Sequence, residues 1–363
     1  MRAVVKIGTS SITNAVGELD EIALGKLCEE VVAARLDGHA ITVVCSGAIA
    51  AGMPALGLSS RPADIGTLQA IAAVGQPRLM ERINARFAEH NVVAGQVLLT
   101  PYDFLHRAQY LHARETLAKL LDLGVVPIVN ENDTVADDEV RFGDNDRIAA
   151  LVANLIDADV LVMLTDTEGL FTADPRIDAD ASLIEEITAV DEAFEAMVGG
   201  AGSARGSGGM ATKLSAARIA SWSGVRAVIA AADAPGVMGD AIAGRSVGTV
   251  IQPHAERLAG RKLWIAFAIG ASGRVVVDAG ARTALMMQGR SLLAAGVREV
   301  IGNFGAESAV EVVDEAGRVF AKGLVRSDAT TLRSIAGKRS GELPVGVPTE
   351  VIHRDDLVVL PAS

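Results

Sequence analysis

In the first two thirds of the chain, short apolar runs alternate with longer stretches whose apolar residues recur at helical spacing. Gly38, Gly124 and Gly224 each separate such a helical stretch from the apolar run that follows it. This order is typical of helices that cross over between parallel strands. We therefore predict an α/β fold with a mostly parallel sheet sandwiched by helices. The predicted strands are 3–7, 40–45, 92–99, 125–129, 160–164 and 225–230, and the main predicted helices are 19–36, 64–89, 102–121, 147–156 and 212–222.

Two predicted helices are irregular. The stretch at 64–89 contains Gly75, Gln76 and Pro77, and both glycine and proline weaken a helix interior. We expect either one amphipathic helix or a pair of helices broken at this point. A second stretch, at 254–269, has helical spacing and leads out of the first part of the chain. We interpret it as a connecting helix.

From Gly273 the pattern changes to short alternating strands with glycine at most turns. This pattern predicts a small β-rich barrel or roll. We therefore divide the chain into a domain at 1–255, a linker helix at 256–272 and a β-rich domain at 273–363. The predicted strands of the last domain are 275–277, 297–301, 309–313, 319–325 and 358–360.

Composition supports a well-packed protein and disfavours several classes of partner. Half of the 363 residues are hydrophobic, and the mean hydropathy is +0.33. A net charge of −12 and an aromatic content of 3% make nucleic-acid binding an unfavoured function. No apolar run approaches the roughly 20 residues of a membrane span. Cys28 and Cys45 lie in apolar runs, so we predict reduced core thiols in a cytoplasmic protein.

Polar clusters follow several predicted strands, where open α/β sheets bind their ligands. The clusters are Asn130-Glu131-Asn132-Asp133, Thr165-Asp166 and, before a helix, Gly143-Asp144-Asn145-Asp146. Helix capping is an alternative role for the last two residues of the third cluster. The acidic pair at 137–138 is interpreted as a solvated loop. The spacing of an EF-hand is absent, so the acids do not predict a dedicated metal site.

Two lysines are placed to contact phosphate. Lys6 lies at the end of the first strand, just before Gly8, and Lys213 lies in the first turn of the helix that follows from the glycine-rich segment 199–213. Backbone amides at such turns, together with an ammonium group, suit an anion. For Lys6 the alternative is an ordinary edge-strand lysine. For the segment before Lys213 the alternative is a plain linker, and this segment lacks the residue order of a Walker A motif. Ser46 precedes a turn of small residues, and we expect it to bind an anionic substrate or to cap a helix.

Six segments together resemble the glutamate-phosphorylating enzymes of the amino acid kinase family, and the region from about residue 273 resembles the PUA domain that such enzymes often carry. The resemblance covers essentially the whole chain. It implies ATP-dependent phosphorylation of the γ-carboxylate of L-glutamate, the first step of proline synthesis, with proline as feedback inhibitor and Mg²⁺ accompanying ATP. The segments are VKIGTS at 5–10, CSGAIAAG at 45–52, VNEND at 129–133, GDND at 143–146, LTD at 164–166 and GGMATK at 208–213.

The resemblance also implies roles for individual residues. Lys6, Lys213 and Asp146 form the catalytic set, and no direct metal ligand is assigned. The glutamate-binding residues are Ser46, Asp133 and Asn145, and the ATP-binding residues are Lys6, Gly8, Thr165, Asp166, Ser207, Gly208, Gly209, Met210, Ala211, Thr212 and Lys213. The chain departs from the family at Ala204-Arg205, where Gly-Leu is common. Alanine adopts positive φ less readily than glycine, so the conformation of the upstream loop is open.

The implied chemistry agrees with the residues. A glutamate side chain, with a pKa of about 4.3, is already ionised at neutral pH, so the nucleophile needs no general base. Positive groups must instead offset the repulsion between this anion and the phosphates. Lysines from distant parts of the sequence, with Mg²⁺, can do so.

Three alternatives differ in class. The first is another family member, an acetylglutamate or aspartate kinase, against which the β-rich domain and the 130–133 cluster argue. The second is an RNA-binding protein that acts through the PUA-like domain. The third is a nicotinamide-dependent dehydrogenase, but no G-x-G-x-x-G follows the first strand. For the partners we expect ATP, L-glutamate and proline, together with a homo-oligomer, either a dimer or a tetramer, and neither nucleic acid nor membrane.

Overall fold

The computed structural model describes residues 1–14, 16–135, 145–173, 175, 177–178, 180–188, 209–255, 257–258 and 260–360. The sequence predictions for 136–144 and for the glycine-rich segment up to 208 therefore lie outside the described residues. The chain divides into two compact units, Met1–Arg257 and Leu258–Ser363. No helix in the described ranges is both long and apolar enough to cross a membrane.

The first unit is built on a mostly parallel sheet, as predicted. The strands follow the order β3-β4-β2-β1-β5-β7-β8-β6, and each described pair is parallel except β7 with β8, where the numbers follow the chain. Their bounds are β1 (Arg2–Ile7), β2 (Ala40–Cys45), β3 (Ala94–Leu99), β4 (Val126–Glu131), β5 (Val160–Thr165), β6 (Glu186–Ile187), β7 (Arg226–Ala231) and β8 (Thr249–Ile251).

Helices cover both faces of this sheet. One face packs against α1, α3 and α8, which contribute most of the helical residues of a single hydrophobic core cluster. Side chains alternate along a strand. Val5 and Ile7 therefore join that cluster, whereas Lys6 meets α6 on the other face. The helices are α1 (Glu21–Leu36), α2 (Ala48–Gly52), α3 (Ile65–Ala88), α4 (Pro101–Leu105), α5 (Arg107–Asp122), α6 (Asn145–Leu155), α7 (Met210–Trp222) and α8 (Val237–Ala243).

The structure decides between the two alternatives at 64–89 and corrects one other helix prediction. Helix α3 is a single helix that runs without a break through Pro77. Its Gly75 lies against the backbone of α2, so the glycine serves helix packing rather than helix termination. The helix predicted at 102–121 is two helices, because His106 has an extended backbone between them. Most other boundaries differ from the predicted ones by one or two residues.

The second unit is β-rich, as predicted, but it also contains helices that the sequence pattern did not predict. The six strands follow the order β10-β14-β13-β12-β9-β11 around their own core cluster. The predicted linker helix is shorter than 256–272: its described helical part is Gly260–Leu263 (α9) with a π-helical turn at Trp264–Ala268, within this unit. The other elements are β9 (Gly273–Val277), α10 (Ala279–Gln288), β10 (Leu292–Leu293), β11 (Val297–Gly302), β12 (Ala309–Val313), β13 (Val319–Val325), α11 (Ala329–Ile335) and β14 (Glu350–Val359).

Candidate functional site

The carboxyl ends of four adjacent parallel strands carry most of the predicted site residues. Strand β1 pairs with β2 and β5, and β2 pairs with β4. Because parallel strands end at the same edge, Lys6, Ser46, Asp133 and Thr165 all reach this edge of the sheet. The N-terminal ends of α6 and α7 lie at the same edge, since Asp146 of α6 contacts both Lys6 and Lys213 of α7.

Lys6, Asp146 and Lys213 form a buried charged cluster. Lys6 Nζ lies 2.6 Å from one carboxylate oxygen of Asp146, and Lys213 Nζ lies 3.3 Å from the other. Thr212 Oγ1 donates a hydrogen bond of 2.8 Å to the second oxygen. Burial by itself would raise the pKa of Asp146, but the two ammonium groups and the hydrogen bonds from Lys6 and Thr212 lower it below its usual range. The carboxylate is therefore ionised, and the cluster has a net positive charge.

Local structure explains how each member of this cluster reaches the site. Lys6 occupies the position of β1 whose side chain leaves the core cluster. Gly8 follows at close range: a Cβ placed on it would lie 3.4 Å from Lys6 Nζ. On the other side, Gly209 precedes α7, and its carbonyl oxygen lies 2.7 Å from Thr212 Oγ1, so it shares the single hydroxyl proton with Asp146. Amides at the start of α7 and the cluster thus present positive charge to the same space.

Ser46 and Asn145 contact each other directly. Asn145 Nδ2 donates to Ser46 Oγ at 2.8 Å and to Asn130 Oδ1 at 2.9 Å. The capping residue of α2 is Gly47 rather than Ser46, so the capping alternative for Ser46 was wrong. The side chain of Asn145 thus makes three hydrogen bonds: it donates to Ser46 and Asn130, and its Oδ1 accepts from the backbone N–H of Glu131.

Asn130 is a supporting residue that the sequence interpretation missed. We had placed it in a polar cluster beyond the strand, but β4 extends through Glu131. The side chain of Asn130 is 1% exposed and carries hydrogen bonds on both sides of its amide. The sequence feature that could have indicated this role is an asparagine at the end of an otherwise apolar strand.

Asp133 follows β4 and is half-buried. Burial raises its pKa to about 6, and the charge of Arg61 opposes that rise. Arg61 lies in the exposed segment before α3, and the sequence interpretation did not single it out. Asp133 is therefore a carboxylate that titrates close to neutral pH.

Thr165 and Asp166 end β5. Thr165 is buried, and its hydroxyl donates to the Asp166 carboxylate at 3.0 Å, whereas Asp166 itself is exposed. Gly209, Met210 and Ala211 form the start of α7. Two predicted ATP-binding residues, Ser207 and Gly208, lie outside the described residues.

A dedicated metal cage is absent from the described part of the chain, because no group of three or more histidine, cysteine or acidic residues could hold an ion there. Magnesium that is bound mainly through nucleotide phosphates needs few protein ligands. The donor set therefore fits a Mg²⁺ ion delivered with a nucleotide.

Comparison with known proteins gives the family. The family model described as the amino acid kinase family matches residues 1–231, and the model described as the PUA domain matches residues 273–345. The chain therefore belongs to the amino acid kinase family, and it is a kinase with a C-terminal PUA domain.

Within this family the chain is similar over nearly its full length to proteins named glutamate 5-kinase. The one from Myxococcus xanthus is 47% identical and covers 99% of this chain and 96% of its own. The one from Burkholderia multivorans is also 47% identical, with 99% and 98% covered. Among solved structures, UMP kinase from Bacillus anthracis matches with a TM-score of 0.47 and 18% identity, over 70% of this chain and 96% of that one.

Proposed function

We propose that this kinase transfers the γ-phosphoryl group of ATP to the γ-carboxylate of L-glutamate, giving L-glutamyl 5-phosphate and ADP. The reaction would be the first step of proline biosynthesis, with proline as feedback inhibitor. The observation that carries the proposal is the buried Lys6–Asp146–Lys213 cluster beside Ser46 and Asn145. The 47% identity to proteins named glutamate 5-kinase supports the choice of substrate.

The cluster suits transfer between two anions. The attacking carboxylate is ionised at neutral pH, so the barrier comes from repulsion and from charge that spreads over the phosphoryl oxygens. Lys6 and Lys213 lie in a water-poor site, where positive charge acts more strongly than in bulk water. Asp146 holds the two ammonium groups in place and keeps them close together. Mg²⁺ bound with ATP would neutralise further phosphate charge.

The remaining residues divide between the two substrates. We assign Ser46, Asn145 and Asp133 to glutamate, with the carboxylate of Asp133 facing the substrate ammonium group. We assign Gly8, Thr165 and Asp166 to ATP, together with the start of α7, whose amides suit phosphate oxygens.

Steady-state assays of ADP release test this function. We expect turnover with L-glutamate and little with aspartate or N-acetylglutamate, and we expect added proline to lower the rate. Lys6→Ala or Lys213→Ala should lower kcat by more than about tenfold, because each removes a charge that stabilises the transition state. Asp133→Ala should mainly raise the KM for glutamate. Full turnover in both lysine variants would refute the assignment.

We also propose a cytoplasmic location and a homo-oligomer. Cys28 and Cys45 are both buried and unpaired, as a reducing compartment requires. Burial raises the pKa of each thiol to about 12, so both are protonated and inert. The oligomeric state stays a prediction, which light scattering of the purified protein would test.

A further inference from the structure

A continuous chain of side-chain amides leads from the edge strand β3 to Ser46. Gln76 Nε2 donates to Gln96 Oε1 at 3.2 Å, and Asn130 Nδ2 donates to Gln76 Oε1 at 2.8 Å. Asn145 Nδ2 then donates to Asn130 Oδ1 at 2.9 Å and to Ser46 Oγ at 2.8 Å. Gln76, Asn130 and Asn145 each donate one hydrogen bond toward Gln96, and Asn145 donates its second one the other way, to Ser46.

Gln76 is the member of this chain that lies farthest from the charged cluster and is still buried. It is 8% exposed on α3, whereas Gln96 is exposed. Its neighbour Gly75 lies against the backbone of α2. This packing holds α3 against α2, and from this helix the side chain of Gln76 reaches Asn130 on β4. A buried amide is costly unless it is bonded, and here both of its ends are.

Gln76 and the backbone N–H of Glu131 together set the orientation of the amides beyond Gln76. Because Gln76 Oε1 can only accept, Asn130 must turn Nδ2 toward it and Oδ1 toward Asn145 and the backbone N–H of Glu131. Both hydrogens of the Asn145 amide are then used, by Asn130 and by Ser46. Ser46 Oγ accepts one of them, so its own proton is directed elsewhere.

We propose that Gln76 is a positioning residue for the amino acid substrate: through Asn130 it orients Asn145 and Ser46 without touching the substrate. The inference rests on the proposed function, because it requires that Ser46 and Asn145 bind glutamate. Asn145 Oδ1 accepts from the backbone N–H of Glu131 and keeps a second lone pair as an acceptor, and the Ser46 hydroxyl stays a donor. These two groups match the ammonium and a carboxylate of an amino acid. With Gln76 absent, Asn130 Nδ2 loses its acceptor and only the backbone N–H of Glu131 still holds Asn130 Oδ1, so the pattern at Asn145 is less firmly fixed.

Steady-state kinetics of three variants separate this role from a structural one. Gln76→Met has a similar length but no amide, and we expect the KM for glutamate to rise about tenfold, equivalent to 1.4 kcal/mol of lost binding. The KM for ATP should stay within about twofold, because the hydrogen bonds of Gln76 and Asn130 lead to Asn145 and Ser46, which we assign to glutamate. Gln76→Glu keeps the oxygen that accepts from Asn130, and Gln96 can turn its amide to donate. This variant should therefore recover most of the affinity for glutamate.

The control is Ile83→Val, which removes a buried methyl group from the same helix without touching the amide chain. It should lower the free energy of unfolding by about 0.5–1.5 kcal/mol and leave both KM values unchanged. If Gln76→Met does not fold, Gln76→Asn, which shortens the reach by one methylene, has the same expected effect.

Each remaining result has a definite meaning. An unchanged KM for glutamate in folded Gln76→Met, with normal turnover by the unmodified protein, would overturn this inference alone. Equal increases in both KM values, or no recovery in Gln76→Glu, would also overturn it, because they indicate general disruption. Absence of glutamate-dependent ADP release from the unmodified protein would overturn the proposed function, and this inference with it.

Discussion

Asp133 and Asp146 are residues of the same type whose environments shift their pKa values in opposite directions. Burial raises the pKa of Asp133 to about 6, and Arg61 opposes this only in part. Asp146 is also buried, but Lys6 and Lys213 are in direct contact with it and lower its pKa. Asp146 thus stays ionised well into the acid range, whereas Asp133 changes charge within the range of ordinary assays.

This difference predicts a pH dependence of glutamate binding. The proposed role of Asp133 needs its carboxylate, which is lost as the pH falls through about 6. We expect the KM for glutamate to rise below that pH, approaching about tenfold per pH unit, while the KM for ATP does not follow. Kinetic measurements across this range check the effect. Asp133→Asn should have a raised KM for glutamate that does not rise further below about pH 6. An equal rise of the KM below about pH 6 in this variant would show that another group causes the pH dependence.

The same carboxylate affects stability with the opposite sign. A carboxyl group whose pKa is higher in the folded than in the unfolded state destabilises the fold where it is ionised, and this cost is relieved as the pH falls from above 6 toward the ordinary value of 3.8. Stability therefore does not account for an acid at this position, which agrees with the binding role that we propose for Asp133.

Two fully buried threonines predict opposite results for one substitution. Within the described residues Thr42 Oγ1 has no hydrogen-bond partner, whereas Thr249 Oγ1 accepts the N–H of Leu170 at 2.8 Å. Thr42→Val removes an unpaired hydroxyl and should raise the free energy of unfolding by about 1 kcal/mol. Thr249→Val leaves a buried N–H without its acceptor and should lower it by about 1–3 kcal/mol. Urea unfolding measures both, and equal signs would contradict the hydrogen-bond assignment.

At the scale of elements, the contact between α2 and α3 supports the glutamate side of the site. A Cβ on Gly75 would lie 1.8 Å from the carbonyl oxygen of Ala48, and one on Gly52 would lie 2.2 Å from that of Ile71. The two helices thus touch through their backbones. Ser46 and Gly47 lead directly into α2, so any displacement of this helix moves a proposed substrate contact.

Gly75→Ala should therefore lower stability and substrate affinity together. The helices must separate to admit the methyl group, and we expect a loss of about 2–4 kcal/mol in the free energy of unfolding with a raised KM for glutamate. Gly25→Ala in α1 is the matched control, because its Cβ meets nothing within 4 Å. It should stabilise by about 0.5–1 kcal/mol without affecting kinetics. A tolerated Gly75→Ala would show that α2 adjusts without cost.

The same pair of helices shows what the sequence could and could not predict. Glycine after a helix marks a terminus when the chain turns there, and Gly38, with φ of +85°, confirms this use. Gly75 and Pro77 left a break open as one of two alternatives, but tertiary packing uses the missing side chain of Gly75 within a continuous helix. Local propensity contains no information about that partner.

The residues of the site also divide into those that the sequence indicated and those that it did not. Short segments next to strand ends pointed to Lys6, Ser46, Asn145, Asp146 and Lys213, and the structure brings these residues together. The parallel order of the strands makes that convergence predictable. Gln76 and Asn130 were not singled out, because their contribution depends on contacts across α3 and β4 that no spacing in the sequence records.

At the scale of the whole molecule, each of the two units has a cluster of buried hydrophobic residues among its described residues. One cluster draws its residues from the first unit, and the other from 275–359 in the second unit. Every described residue that we assign to substrate or nucleotide lies in the first unit. Ligand binding should therefore stabilise that unit by mass action, and it should not act directly on the second.

This separation predicts two unfolding transitions with different responses. Saturating Mg–ATP at about a hundred times its Kd should stabilise the first unit by about 2.7 kcal/mol and raise only one transition in calorimetry. Ile41→Ala and Ile352→Ala each remove a buried side chain, from the first and second core respectively, and each should cost about 2–5 kcal/mol. Ile41→Ala should lower the transition that ATP raises. Ile352→Ala should lower the temperature of the other transition. At temperatures below that transition, kcat and KM should be unchanged. A single transition that both substitutions lower and ATP raises would instead show that the two cores unfold as one cooperative unit.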